Sequence, residues 1–162
     1  MSMIYLASDH RGYEMKEKIK AWLAGTGRSY EDCGPDHFDK DDDYPDFMSK
    51  VGQAVSKDPD EHIGIILGAT GQGEAIVANK YKGVRAAVYY GGPEDIVKLA
   101  RVHNNANVLS IGFALGNTMS ERKEMDPQEV IGHIKTFLET KFLNEERHVR
   151  RIEKIKKLET NP

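Results

Sequence analysis

A carboxylate set on a glycine turn is the part of this chain best suited to moving a proton. The turn is Gly68-Ala69-Thr70-Gly71-Gln72-Gly73-Glu74. Before it runs Ile63-Gly64-Ile65-Ile66-Leu67, with the length and β-branched content of a buried strand. After it, Ala75-Ile76-Val77-Ala78-Asn79-Lys80 can be helical. A strand-to-helix turn aims successive backbone N–H groups outward, and the helix start adds partial positive charge. A base beside such donors suits proton abstraction next to a carbonyl, because the oxyanion forms where the donors point.

Other polar residues fall at similar junctions. Asp9 and His10 close the first strand, and His103-Asn104-Asn105 close the helix before the fifth. The C-terminal segment carries Arg147, His148, Arg150 and Arg151. Open α/β sheets bind ligands at the carboxyl ends of their strands, near a switch point. Asp9, His10, Thr70, Glu74 and His103 are therefore expected to meet at that edge. Singly, each has a plainer use: Asp9 as a helix cap, His103 as a helix C-terminal histidine favoured by the dipole.

Two familiar uses of a glycine loop fit poorly. A Walker A loop needs Gly-Lys-Ser/Thr, whereas Gly73 is followed by Glu74-Ala75. A dinucleotide fingerprint needs Gly-x-Gly-x-x-Gly at the first strand-helix turn, and here Gly71-x-Gly73-x-x-Ile76 stands at the third. A carboxylate on the loop would also repel a nucleotide's phosphates. No Cys/His cluster has metal-ligand spacing, so neither metal nor cofactor is expected.

The elements that must carry these residues alternate. Strands are predicted at 3–7, 29–33, 63–67, 84–89 and 107–111, and helices at 11–23, 44–56, after Gly91-Gly92-Pro93, after Asp126-Pro127, and at 144–158. Apolar stripes support the helices: Met15, Ile19, Trp22 and Leu23; Ile96, Leu99, Ala100 and His103; Val130, Ile134, Phe137 and Leu138; Val149, Ile152, Ile155 and Leu158. The polar stretch 116–125 reads as a loop. This order predicts an α/β fold, a parallel sheet between helix layers, in one domain over 1–162. The charged last helix follows a finished sheet, so it either packs on a partner subunit or covers its own domain.

The bulk composition sets limits. With 162 residues, 39% hydrophobic and 30% charged, the chain can bury one substantial core. A net charge of −3 gives no general attraction to nucleic acid or anionic lipid. The charge is uneven: 36–46 is acidic, while 147–157 carries six Lys or Arg against one Glu. Cys33 is the only cysteine, which suits a reducing compartment. No apolar run approaches the ~20 residues that span a bilayer, and the N-terminal apolar stretch is too short for a signal peptide. A cytoplasmic location without a membrane partner is expected.

At this point several motifs coincide. Ser8-Asp9-His10-Arg11-Gly12, Asp43-Tyr44-Pro45, Gly68 to Lys80, Gly83-Val84-Arg85-Ala86, His103 to Leu109, and Arg147-His148 followed by Arg151 occur in the order found in one family. The chain resembles the type B ribose-5-phosphate isomerases and their relatives acting on galactose 6-phosphate and allose 6-phosphate. The resemblance implies a five-stranded parallel sheet in a three-layer Rossmann-like sandwich. It also implies a cofactor-independent aldose–ketose isomerase, and a homodimer whose site is completed by the neighbouring chain, with pairing to a tetramer left open. Many members use as base a cysteine where this chain has Gly68, and another branch uses a glutamate matching Glu74. By the same resemblance Asp9 and His10 contact the sugar phosphate, Tyr44 lines the sugar pocket and His103 opens the furanose ring. Asn104 holds a hydroxyl or oxyanion, the amides of Gly71, Gln72 and Gly73 stabilise the enediolate, and Thr70 assists proton exchange. Arg147 and Arg151, from the partner, bind phosphate.

One departure bears on the substrate. After the fifth strand the family often has Gly-x-Arg, with that arginine on the phosphate, but this chain has Gly112-Phe113-Ala114. Arg122 or Lys123 are candidates to compensate. Ribose 5-phosphate is the expected substrate. A tetrose or hexose phosphate, or sugar-phosphate binding without catalysis, are the alternatives, and a nucleotide-binding module is a third.

Overall fold

The computed structural model describes residues 2–115 and 123–160. Strands β1 (Ile4–Ser8), β2 (Tyr30–Asp32), β3 (Ile63–Gly68), β4 (Ala86–Tyr89) and β5 (Val108–Gly112) form one parallel sheet in the order β2-β1-β3-β5-β4. Helices α1 (Tyr13–Thr26), α2 (Pro45–Lys57), α3 (Gln72–Ala78), α4 (Asp95–Asn104), α5 (Pro127–Glu139) and α6 (Glu146–Leu158) connect and cover it. The central strands β3 and β5 are apolar on both faces, which forces a helix layer on each side. Met15, Ile19 and Leu23 of α1, Val97 and Ala100 of α4, and Val130, Ile134 and Phe137 of α5 fill one layer. Met48, Val51 and Val55 of α2 with Ala78 of α3 fill the other.

The chain leaves β1 toward β2 by way of α1, and leaves β3 toward β4 by way of α3, in the opposite direction and over the opposite face. The crevice between the carboxyl ends of β1 and β3 is thus a topological switch point. Asp9 follows β1 and the glycine turn follows β3, so both end at that crevice.

The predicted layers and strands are present, with local shifts. The first helix starts at Tyr13 rather than Arg11, because Gly12 occupies its N-cap. It runs through Gly25 and stops at Gly27, whose φ of 69° supplies the left-handed turn. The fourth strand starts at Ala86 rather than Val84, since the Arg85 amide is taken by the Asn107 side chain at 2.8 Å. In α4 the buried stripe is Val97 and Ala100, with Ile96 and Leu99 turned outward. Asp126 caps α5 as expected, accepting from the Gln128 amide at 2.8 Å. Of the polar loop after the fifth strand, the ends pair as a short antiparallel ladder, β6 (Ala114–Leu115) with β7 (Lys123–Glu124). Arg122 and the side chain of Lys123 lie outside the described residues.

The last helix begins at Glu146, after Asn144 in a left-handed conformation. It packs on its own chain: His148 and Ile152 are buried, and Glu159 accepts from the Gly83 amide at 2.9 Å. Only part of its apolar stripe is used, because Ile155 and Leu158 stay exposed.

Candidate active site

Glu74 lies in the first turn of α3, yet its side chain is turned inward and the residue is only 5% exposed. Room for it comes from Gly68, the last residue of β3. A Cβ at position 68 would collide with Glu74 Oε1. Burial raises the Glu74 pKa, a contact with its own backbone amide partly offsets this, and the negative charge of Asp9 adds to the rise. A carboxylate so held binds a proton more readily than a solvated one, as a general base requires.

The turn itself is seated on the end of β5. Gly71 has φ 71°, a conformation that disfavours side chains, and a Cβ there would lie 2.8 Å from the Gly112 nitrogen. Ser110, fully buried, donates from Oγ to the Gly71 carbonyl at 2.6 Å. The Thr70 hydroxyl stands exposed and accepts from the Gln72 amide at 3.4 Å. Tyr44, at the N-cap of α2, lays its phenol over Gly73, where an added Cβ would sit 2.8 Å from Cζ.

Asp9 serves as the plain reading suggested: Oδ1 accepts from the Gly12 amide at 3.0 Å, at the start of α1. It also faces the site. Burial raises its pKa, the Gly12 amide and His10 oppose that, and Asp42 adds to the rise. His10 pairs through Nδ1 with Asp42 Oδ1 at 2.6 Å. Asp9, His10, Tyr44, Thr70, Gly71, Gln72, Gly73 and Glu74 are therefore brought to one edge of the sheet.

His103 is not among them, which corrects the expectation that it shares this edge. Helix α4 runs antiparallel to the strands, so its last turn returns to the amino edge, where the Asn107 amide donates to the Arg85 carbonyl just before β4. His103 and Asn104 thus stand at the opposite end of the sheet from Glu74. There His103 stacks on His148 of α6, with ring centroids 4.5 Å apart and planes 13° from parallel. The same turn of α6 exposes Arg147, paired to Glu145 at 2.9 Å, and Arg151. One chain therefore holds two clusters, a buried carboxylate with its glycine turn and a histidine with arginines, at opposite edges.

Three supporting features escape a reading of the sequence. Asp42 lies in an acidic run that looks merely solvated. Ser110 is a lone polar residue inside an apolar strand, and that interruption is the one signal of its role. Lys16 is fully buried and reaches Asp32 Oδ2 at 2.6 Å, tying α1 to β2, although its place in a charged helix gives no hint of this. Asn79, at the end of the glycine-loop motif, is structural: it exchanges two hydrogen bonds with the backbone of Ala86, at 2.8 and 3.0 Å. Among the described residues no cluster of three His, Cys, Asp or Glu is set to hold a metal, and no helix is long and apolar enough to cross a membrane.

The family model described as Ribose/Galactose Isomerase matches residues 4–155. Ribose-5-phosphate isomerase B of Mycolicibacterium paratuberculosis is 38% identical over 150 residues, covering 93% of this chain and 87% of its own. A probable ribose-5-phosphate isomerase B of Mycoplasma genitalium is 41% identical over 152 residues, covering 94% and 92%. The crystal structure of the Mycoplasma genitalium enzyme with bound ribulose 5-phosphate superposes with a TM-score of 0.87, at 37% identity over 99% of this chain and 98% of that one. Sheet, helix layers and glycine turn lie within the matched span, and on these grounds the chain belongs to the ribose/galactose isomerase family.

Proposed function

We propose that this protein is an aldose–ketose isomerase that interconverts ribose 5-phosphate and ribulose 5-phosphate through an enediolate, with Glu74 as the base. The observation that carries this reading is the buried Glu74 carboxylate beside Gly68, next to a glycine turn. The named relatives, one of them with ribulose 5-phosphate bound, support the substrate.

The steps follow from proton bookkeeping. His103 opens the furanose by taking the anomeric hydroxyl proton and delivering one to the ring oxygen. Glu74 then removes the C2 proton of the open aldose. Negative charge moves to the C1 oxygen, where the Gly71, Gln72 and Gly73 amides donate, and the loss of one such donor costs ~10²-fold or more in rate. Thr70 helps pass a proton between the two oxygens. Glu74 returns its proton to C1, giving the ketose. Asp9 and His10 contact the sugar phosphate, Tyr44 lines the sugar pocket, Asn104 holds a hydroxyl or the developing oxyanion, and Arg147 and Arg151 take the phosphate in two-point contact.

Since Glu74 and His103 lie at opposite edges of one chain, the working site joins Glu74 of one copy to His103, Asn104, Arg147 and Arg151 of a second. The chain accordingly acts as a homodimer. A groove of about 460 Å³ between α3 and β4, where Ile76, 63% exposed, stands beside Ala86 and Val88 and among Gln72, Asn79 and Lys80, adds surface that a second copy would cover. An assay of ketose formation from four-, five- and six-carbon aldose phosphates tests the reading. Turnover of ribose 5-phosphate is expected. Turnover only of a tetrose or hexose phosphate changes the substrate, and binding without turnover of any leaves a sugar-phosphate-binding protein.

A further inference from the structure

His10 is held from behind by a residue 32 positions away. Its Nδ1 lies 2.6 Å from Asp42 Oδ1, and a carboxylate only accepts, so Nδ1 carries the hydrogen. The Asp42 side chain is 6% exposed against 27% for His10. Phe38 meets the His10 ring edge-on at 6.4 Å and meets Tyr13 in the same way, which limits rotation of the imidazole. His10 itself lines a cleft of about 250 Å³ with Arg11 and Lys18, the carboxylates Glu14 and Glu124, and Phe113. Stability alone is a poor reason for Asp42. Its second oxygen, Oδ2, is buried with no hydrogen-bond partner among the described residues, a burial that costs free energy. What the carboxylate secures in return is the orientation of one half-exposed ring.

We propose that Asp42 is a positioning residue of the phosphosugar site: it takes the Nδ1 hydrogen of His10 and so aims Nε2 into the cleft, toward the phosphate of the substrate. In the complex Nδ1–H donates to Asp42, and Nε2 shares a proton with a phosphate oxygen. This inference rests on the reading of the site as one for a phosphorylated sugar.

The test uses ribitol 5-phosphate, which lacks a carbonyl and cannot be isomerised, with affinity measured by titration calorimetry on folded dimers checked by thermal melting. Asp42→Asn is expected to weaken binding about tenfold, as is His10→Ala, with the double variant no weaker than His10→Ala alone. Affinity for ribitol, without phosphate, should not respond. An equal loss from Asp42→Asn in both His10 backgrounds, or no loss in either, overturns the positioning role. Failure of the unaltered protein to bind ribitol 5-phosphate overturns the phosphosugar reading itself. Should Asp42→Asn not fold, ¹⁵N NMR of the unaltered protein in the complex decides: a His10 Nδ1 without hydrogen refutes the proposal, and an Nδ1 that carries the hydrogen supports it.

Discussion

The carboxylate of Glu74 fills the space that a side chain on Gly68 would need. The two residues stand six apart, one ending β3 and the other in the first turn of α3, and the tight turn between them folds the second back over the first. A side chain on the strand at 68 and the Glu74 side chain from the helix would compete for this one space. An added Cβ at position 68 would force the carboxylate end of Glu74 to move, so glycine at 68 and the inward position of Glu74 go together.

Replacing Gly68 by alanine should therefore displace Glu74 from its pocket. We expect kcat to fall about 10²-fold, as for a misplaced catalytic group. The melting temperature should change little, because an ionised carboxylate moved toward water gains hydration. Full activity in Gly68→Ala would show that Glu74 works from another position.

Glu74→Gln removes the base while keeping its volume. Exchange of the substrate C2 proton with solvent deuterium, followed by NMR, should slow about 10³-fold, with KM for ribose 5-phosphate nearly unchanged. Exchange at the normal rate would strip Glu74 of its assigned role.

The raised pKa of Glu74 has consequences of defined sign. As a base it must be ionised, so kcat/KM should decline on acidification at a pH above the ordinary glutamate range. Asp9→Asn, by removing the neighbouring negative charge, should move that acidic limb to lower pH. For stability the sign is reversed. A folded pKa above the unfolded one favours folding most strongly below the unfolded pKa, and that contribution disappears as pH rises through the folded value. At neutral pH Glu74 is thus a burden on the fold, and Glu74→Gln should melt about 2 °C or more higher. Unchanged or lower melting would show the carboxylate to be stabilised by partners.

The placement of Glu74 and His103 at opposite edges makes a further claim testable by mixing. Glu74→Gln and His103→Ala should each be inactive alone. Co-expressed, they form heterodimers in which one of the two sites draws an intact residue from each chain. Random pairing should restore about a quarter of normal activity. No recovery would mean that each site is built from one chain.

Cys33 is the only cysteine of the chain. It is buried among apolar neighbours, and burial together with Glu31 and Asp32 pushes its thiol pKa up to about 11. Iodoacetamide at neutral pH should leave turnover intact. Inactivation, blocked by ribose 5-phosphate, would place a reactive thiol in the site.

The sequence alone determined the alternation of strands and helices, the two helix layers and the glycine turn with its carboxylate. These depend on short-range patterns: apolar runs in β3 and β5, the stripe Met15, Ile19 and Leu23, and the spacing from Gly68 to Glu74. Boundaries slipped where a long-range bond decided them, as when the Asn107 side chain claimed the Arg85 amide and delayed β4. Only the tertiary structure decided which residues meet. The parallel order of β4, α4 and β5 already puts the end of α4 at the amino edge, away from Glu74, but that His103 lands on His148 of α6 is a contact only the folded chain shows. The same holds for His10 and Asp42, and for the burial of Glu74 itself. Each is a contact between elements, and its energy resides in packing and charge that no local pattern encodes.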